Sequence, residues 1–290
     1  MRIGFIGAGK VGFTLGKYVI ANKQKENAPE CLKQTEISGY FSLHEESAKE
    51  AAKWTDTRYY QSLKEITESS NVLVLTVPDS VIRKVWDELR VLDIKDMLIC
   101  HCSGVMASNI FSGVTEAGAF GYSIHPMYAI SSKTESYKEM GQALFSVEGD
   151  DRYLTQIRDF ITSLGNECVI ISDCDKVKYH GAAVMASNLV TGLYSMAGKL
   201  LMECGFTAEQ TEMALEPLFL GNAKAISEKG AVESLTGPIE RNDIDTVVRH
   251  MNALSGNERR AYIALSRGTL EVAAKKHPNV DYTELRRLLN

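Results

Sequence analysis

Residues 7–12 read Gly-Ala-Gly-Lys-Val-Gly and follow directly on a short apolar run, Arg2-Ile3-Gly4-Phe5-Ile6. A helical pattern of apolar residues, Val11, Leu15, Val19 and Ile20, begins inside the loop. Strand, glycine loop and helix in that order leave few folds open. The first glycine permits a tight turn and the second lets the backbone approach a pyrophosphate. The third lets the helix pack closely on the strand. Amides at the helix start then face the phosphates. Gly7, Ala8, Gly9, Lys10, Val11 and Gly12 are therefore expected to hold a dinucleotide.

The pattern that follows extends this unit into a sheet. Glu36 to Ser42, Asn71 to Val77, Met97 to Cys102 and Ala119 to Ile124 read as further strands, with helical segments between the earlier ones. The run at 71–77 is continuously apolar and rich in β-branched residues, as suits a strand covered on both faces. Strands at Ala143 to Glu148 and Glu167 to Ile171 flank a helix at Arg152 to Leu164. Strand signals stop near residue 172. The expected class is α/β: a Rossmann-type, mostly parallel sheet over 1–172, then an all-helical domain over 173–290. In that second half, Asp175 to Cys204 reads as one long helix or two joined at Gly192, and Pro217 is expected to break the helix of Thr207 to Lys229.

Composition narrows the function classes. Hydrophobic residues make up 44% of 290, enough for a sizeable core, and the net charge of -5 gives no support for nucleic acid as partner. No apolar stretch approaches the roughly 20 residues of a membrane span. Six cysteines are too sparse for a disulfide scaffold, and reduced thiols fit them better than a metal site. The chain opens on a core strand, so a soluble, cytoplasmic protein is expected.

The end of the second strand selects the nucleotide. An acidic residue there would bind the ribose 2′-hydroxyl of NAD. Here Ser42 and His44 occupy that place and Glu45 and Glu46 come late, which favours NADP over NAD. No Arg stands there, so NAD stays open as the second choice. Val77, Pro78 and Asp79 close the central strand at the cofactor edge, with Asp79 as a helix cap or local anchor. His101 and Ser103 end the next strand, and His125 ends the one after. Ser103 is placed to offer a hydroxyl to nicotinamide or substrate, and His125 either meets substrate or fixes the loop before Pro126. His101 lies between Cys100 and Cys102 and reads equally as packing.

In the helical half, His180 and Asn188 fall at i and i+8 of a helix, with Lys178 to the side. That polar set either bonds internally or lines a cleft. His180 and Asn188 would orient or protonate a reacting group, and Lys178 would offer a cation to a carboxylate. Leu235 to Asp243 forms a turn rich in charge, either a solvated loop or an anion site in which Thr236 shapes the turn and Arg241 binds a carboxylate.

Several motifs together match a known family. Ile6 to Gly12, Val77-Pro78-Asp79, His101 to Gly104, His125-Pro126, Tyr179-His180 through Asn188, and Thr236 to Asp243 make the chain resemble the Rossmann-like oxidoreductases with a C-terminal DUF2520 domain. That family looks like a relative of pyrroline-5-carboxylate reductase and the β-hydroxyacid dehydrogenases. The resemblance implies a nicotinamide-dependent reductase, an active site between domains, and a homodimer built by the helical domain. It supplies neither a substrate nor catalytic residues. The chain lacks the Lys-to-Asn spacing of four seen in β-hydroxyacid dehydrogenases, since Lys178 and Asn188 are ten apart. The expectation is hydride transfer between NADPH and a small carbonyl, hydroxy or imino compound bearing a carboxylate. The rival is a dinucleotide-binding sensor or scaffold without turnover.

Overall fold

The computed structural model describes all 290 residues. It divides into two compact units, 1–185 and 186–290.

The first unit is built on one sheet. Its elements run β1 (Arg2–Ile6), α1 (Lys10–Lys23), α2 (Glu30–Lys33), β2 (Glu36–Phe41), α3 (Glu45–Thr55) and β3 (Arg58–Tyr60). They continue with α4 (Leu63–Ser69), β4 (Val72–Leu75), α5 (Asp79–Leu89), β5 (Leu98–His101) and β6 (Phe120–Met127). Then come β7 (Leu144–Gly149), α6 (Asp151–Ser163), β8 (Cys168–Ile170) and α7 (Lys176–Ala186). The eight strands lie in the order β3-β2-β1-β4-β5-β6-β7-β8. Neighbours from β3 to β6 are parallel, and β7 turns antiparallel to β6.

The strand alternation sorts side chains into two cores. Ile3 and Phe5 of β1 and Val72 and Val74 of β4 face α1 and α3 with Phe13, Tyr40 and Ala51. Ile6, Leu73 and Leu75 point the other way, toward α4 and α5 with Ile66, Ile82 and Trp86. Ile82, Trp86 and Leu89 of α5 are each fully buried, at about 1.5–3 kcal/mol per large apolar side chain. The chain runs outward from β1 to β3 and returns to β4 on the other side of β1. That reversal opens a crevice at the carboxyl ends of β1 and β4, where ligands bind in open sheets of this kind.

The second unit is helical: α8 (Asn188–Glu203), α9 (Ala208–Ser234), α10 (Ile244–Ala253), α11 (Gly256–Lys276) and α12 (Thr283–Leu289). Ile239, Val247, Met251, Leu270, Tyr282 and Leu285 make its core. No helix of the protein is long and apolar enough to cross a membrane.

Two expectations about the helices are corrected. The chain leaves helical geometry at Ser187 (φ -127, ψ -85), so α7 and α8 part there and not at Gly192. Pro217 sits inside α9 without breaking it, and the kink falls at Gly230, whose φ of 78 lies in the left-handed region open to glycine. A proline removes one helical hydrogen bond, and α9 carries that loss within 27 residues. The short helices α2 and α12 were not anticipated from the sequence.

Candidate functional site

The glycine loop connects β1 to α1 at the mouth of the crevice. Gly7 has φ +103, and a Cβ there would lie 2.9 Å from the Thr76 carbonyl. A Cβ on Gly12 would lie 2.5 Å from Gly7 O and 2.7 Å from Thr76 Oγ1. Both glycines are therefore required by the protein's own packing. Thr76 ties the two strand ends, donating Oγ1 to Gly7 O at 2.7 Å and its N–H to Ile6 O at 2.8 Å.

Gly9 is different. A Cβ there would meet nothing within 4 Å. Gly9 takes the N-cap position of α1, no side chain caps it, and no acid occupies the first turn. The first N–H groups of a helix lack partners within it, and here neither a capping side chain nor a carboxylate competes for them. This open, positive helix end fits the pyrophosphate of a dinucleotide. Ala8 is buried, Val11 is half-buried, and Lys10 is exposed.

At the end of β2, Ser42 is half-buried, Leu43 is exposed, and His44 begins α3 without a capping bond. Glu45 and Glu46 lie in the first turn of α3, at 3.0 and 2.9 Å from Lys49 Nζ. Across the crevice, Val77 is half-buried and Pro78 takes the N-cap position of α5. Asp79 is thus the first helical residue and not the cap, and its carboxylate accepts from Ser103 Oγ at 2.8 Å.

That bond changes the reading of Ser103. Its hydroxyl proton goes to Asp79, and its oxygen accepts from Val105 N and Met106 N at 3.3 and 3.1 Å. Ser103 is buried, and its hydroxyl braces the loop. His101 has a similar role. Its Nδ1 accepts from Ser103 N–H at 3.2 Å, so Nε2 carries the proton that reaches Ala107 O at 3.2 Å. The ring packs on Phe111, and burial lowers its pKa to about 4.

The ends of β5 and β6 meet α7 in a cluster of polar groups. His125 shares a hydrogen bond between Nδ1 and Tyr179 Oη at 2.9 Å. Its ring stands edge-on to His180, with centroids 6.0 Å apart. Gly104 lies between them: a Cβ there would be 2.4 Å from His180 Nδ1 and 2.9 Å from His125 Nε2. His180 Nδ1 is buried without a partner. Neither Nε2 is a buried orphan or has a protein partner, so both remain open to a ligand. Burial lowers the His125 pKa to about 4, with Lys176, His180 and His101 pushing the same way.

Lys176 is the residue that sequence reasoning missed. It is 1% exposed, and Nζ donates to Ser123 Oγ at 2.8 Å and to Ser103 O at 3.1 Å. These bonds fasten the start of α7 to the ends of β5 and β6. Burial lowers its pKa, while Glu148 most strongly opposes that shift. Its position four residues before His180 puts both on one helix face, a signal present in the sequence. Lys178, the lysine singled out instead, is exposed.

The second unit holds the other expected residues. Asn188 is exposed at the start of α8 and accepts from Ser187 Oγ at 3.1 Å. The break at Ser187 removes the continuous helix that was to align it with His180. Thr236 and Arg241 are exposed on a braced loop. Lys276 Nζ donates to Leu235 O at 2.7 Å, His277 Nε2 meets Glu240 Oε1 at 2.6 Å, and Tyr282 Oη donates to Glu240 O at 2.7 Å. The His277 bond holds the Glu240 carboxyl below the usual range. The Arg241 guanidinium has no hydrogen bond or ion pair of its own, although its charge helps to lower the Asp243 carboxyl.

The buried histidines give the protein an acid limit. In the unfolded chain His101 and His125 return to about 6.5, so below that pH the unfolded state binds more protons. Stability is full above about pH 6.5 and falls as pH drops toward 4. Each histidine is expected to cost about 2 kcal/mol between pH 7.5 and 5. Urea unfolding at the two values measures this, and His125→Gln should reduce the fall by one histidine's share. An equal fall in the variant contradicts the assignment.

The protein matches known families in two parts. Residues 1–126 match the Rossmann-like domain, and residues 143–269 match the domain of unknown function DUF2520. No curated protein matches the chain. Among solved structures, protein TM1727 of Thermotoga maritima is 25% identical with a TM-score of 0.74, over 95% of this chain and 99% of that one. BF3122 of Bacteroides fragilis, a candidate NADP oxidoreductase, is 21% identical with a TM-score of 0.69, over 93% and 98% of the two chains. Plasmodium falciparum pyrroline carboxylate reductase with NADP bound is 12% identical with a TM-score of 0.54, over 94% and 98%. The last two likenesses are likenesses of fold. The chain joins a Rossmann-like domain to a DUF2520 domain.

Proposed function

We propose that the protein is an oxidoreductase that uses a nicotinamide dinucleotide, NADP in preference to NAD, on a small carbonyl, hydroxy or imino compound. The observation that carries this reading is the paired opening at one sheet edge. An uncapped helix end lies at Gly9, and two imidazoles with unpartnered Nε2 atoms lie near the end of β6 and in the second turn of α7. The NADP named for two structures of like fold supports the cofactor class. Ser42 and His44, with no carboxylate at the end of β2, support NADP.

Gly7, Ala8, Gly9, Lys10, Val11 and Gly12 would hold the pyrophosphate, with Val77 and Pro78 as a wall. A bound nicotinamide supplies or takes up hydride. His180 Nε2 exchanges the proton on the reacting oxygen or nitrogen, because Nδ1 is shut against Gly104. His125, neutral and held by Tyr179, orients the same group. Asp79 and Ser103 brace the loop that carries Gly104. Arg241 is an anion-binding side chain of the helical unit, a reading supported by its exposed, unpaired guanidinium on a braced loop.

The test is NADPH binding by fluorescence, then NADPH oxidation over keto acids, imino acids and semialdehydes. His180→Ala should lower turnover by about 100-fold and leave NADPH affinity nearly unchanged. Turnover that survives the change removes His180 from its role. NADPH binding without turnover of any compound favours the sensor reading.

We also infer a homodimer formed by the helical unit. Only Thr211 is buried along the 27 residues of α9, while Met213, Leu218, Phe219, Leu220 and Ile226 are exposed. Large apolar side chains left exposed together on one helix mark a surface that a partner covers. Sedimentation velocity should find a dimer for the protein and a monomer for Phe219→Glu; a monomeric protein contradicts it.

A further inference from the structure

The Lys176 ammonium is buried on two neutral oxygens, Ser103 O and Ser123 Oγ, with no carboxylate in contact. It lies 5.6 Å from the centre of the Tyr179 ring, and that tyrosine's hydroxyl holds His125. The two nearest carboxylates on the sheet edge are already engaged. Glu148 accepts from Ser108 N and Ser108 Oγ, both at 2.7 Å, and Asp79 accepts from Ser103 Oγ. Neither imidazole touches an acid. The cluster therefore holds one buried cation and two rings, and nothing in contact with the rings offsets a further positive charge.

We propose that this site takes an uncharged reacting group, a carbonyl or the alcohol related to it, and rejects an iminium, with Lys176 as the residue that sets this preference. The proposal rests on the oxidoreductase reading and narrows its substrate class. The state of His125 supports it: burial, Lys176, His180 and His101 all disfavour a positive charge on that ring. A cationic substrate beside the ring meets the same burial and the same Lys176 ammonium. A neutral oxygen needs only the hydrogen bonds that the free Nε2 atoms make.

The test compares two five-membered rings of opposite charge class, cyclopentanone and pyrrolidinium. Each is titrated into the full chain, with and without NADP, while the ring-proton NMR signals of His125 and His180 are followed. His125→Gln and His180→Gln assign those signals. Cyclopentanone should shift both signals with an affinity at least about tenfold above that of pyrrolidinium, about 1.4 kcal/mol. Lys176→Met should bring the two affinities within about threefold, and Lys176→Arg should restore the gap. Pyrrolidinium binding as tightly as cyclopentanone overturns the proposal, and so does the absence of any shift with either ligand. A gap unchanged in Lys176→Met overturns the role of the lysine. The comparison on the unaltered chain stands even where Lys176→Met fails to fold. A neutral preference in a protein that binds no NADP removes the oxidoreductase reading alone.

Discussion

Gly104→Ala displaces an imidazole of the site and leaves the glycine loop as it is. The added methyl would stand 2.4 Å from His180 Nδ1 and 2.9 Å from His125 Nε2. Carbon and nitrogen at those separations repel, so at least one ring must move. His125 is tethered at Nδ1 by Tyr179, and His180 Nδ1 has no hydrogen bond to lose. His180 is therefore the ring that gives way. A displacement near 1 Å costs about 100-fold in rate where a group must meet a reacting atom. Turnover should fall by that factor and NADPH affinity should change less than about threefold. The NMR signal of His180 should move more than that of His125. Unchanged turnover on a substrate found in the NADPH oxidation screen contradicts the placement of His180 at the reacting group.

The sheet was legible because its central strands are short, mostly apolar runs closed by Gly, Pro or a polar turn. Val72 to Leu75 is buried at every position, as its unbroken apolar run requires. The glycine loop was legible because two of its glycines answer to steric demands that any sequence of this fold must meet. The helical unit was harder to read. Gly192 and Pro217 are the residues that ordinarily end helices, yet the breaks fall at Ser187 and Gly230. Glycine permits a departure from helical angles without compelling it, so neighbouring contacts decide where the chain turns.

The candidate site was legible only in part, for a related reason. His125 and His180 stand out in sequence, and the structure places their rings 6.0 Å apart. Lys176 does not stand out. Asp175-Lys176-Val177-Lys178 reads as the start of a long helix with two lysines close together, and only the fold shows that the first lysine points at Ser123 and the second at solvent. Ser103 misled in the opposite direction. A serine at a strand end suggests a free hydroxyl, but Asp79 lies 24 residues earlier in sequence and 2.8 Å away in space. Pairings of that range follow from strand order, which local sequence does not encode.

The central claim is that the open end of α1 holds a dinucleotide, and Gly9→Ala tests it. Gly9 has φ -82 and ψ -170, angles that alanine adopts freely. Its methyl would touch no protein atom within 4 Å. The variant should therefore unfold close to the temperature of the parent, since alanine restricts the unfolded chain but is the poorer residue at a helix N-cap. The same methyl would occupy the space through which the pyrophosphate approaches the backbone. Calorimetric titration of NADPH into the two proteins is the direct measurement. The account predicts binding to the parent and at least about tenfold weaker binding to Gly9→Ala, a loss near 1.4 kcal/mol, with thermal stability preserved. Equal affinity in the two proteins, or no binding of NADPH to the parent, would contradict it.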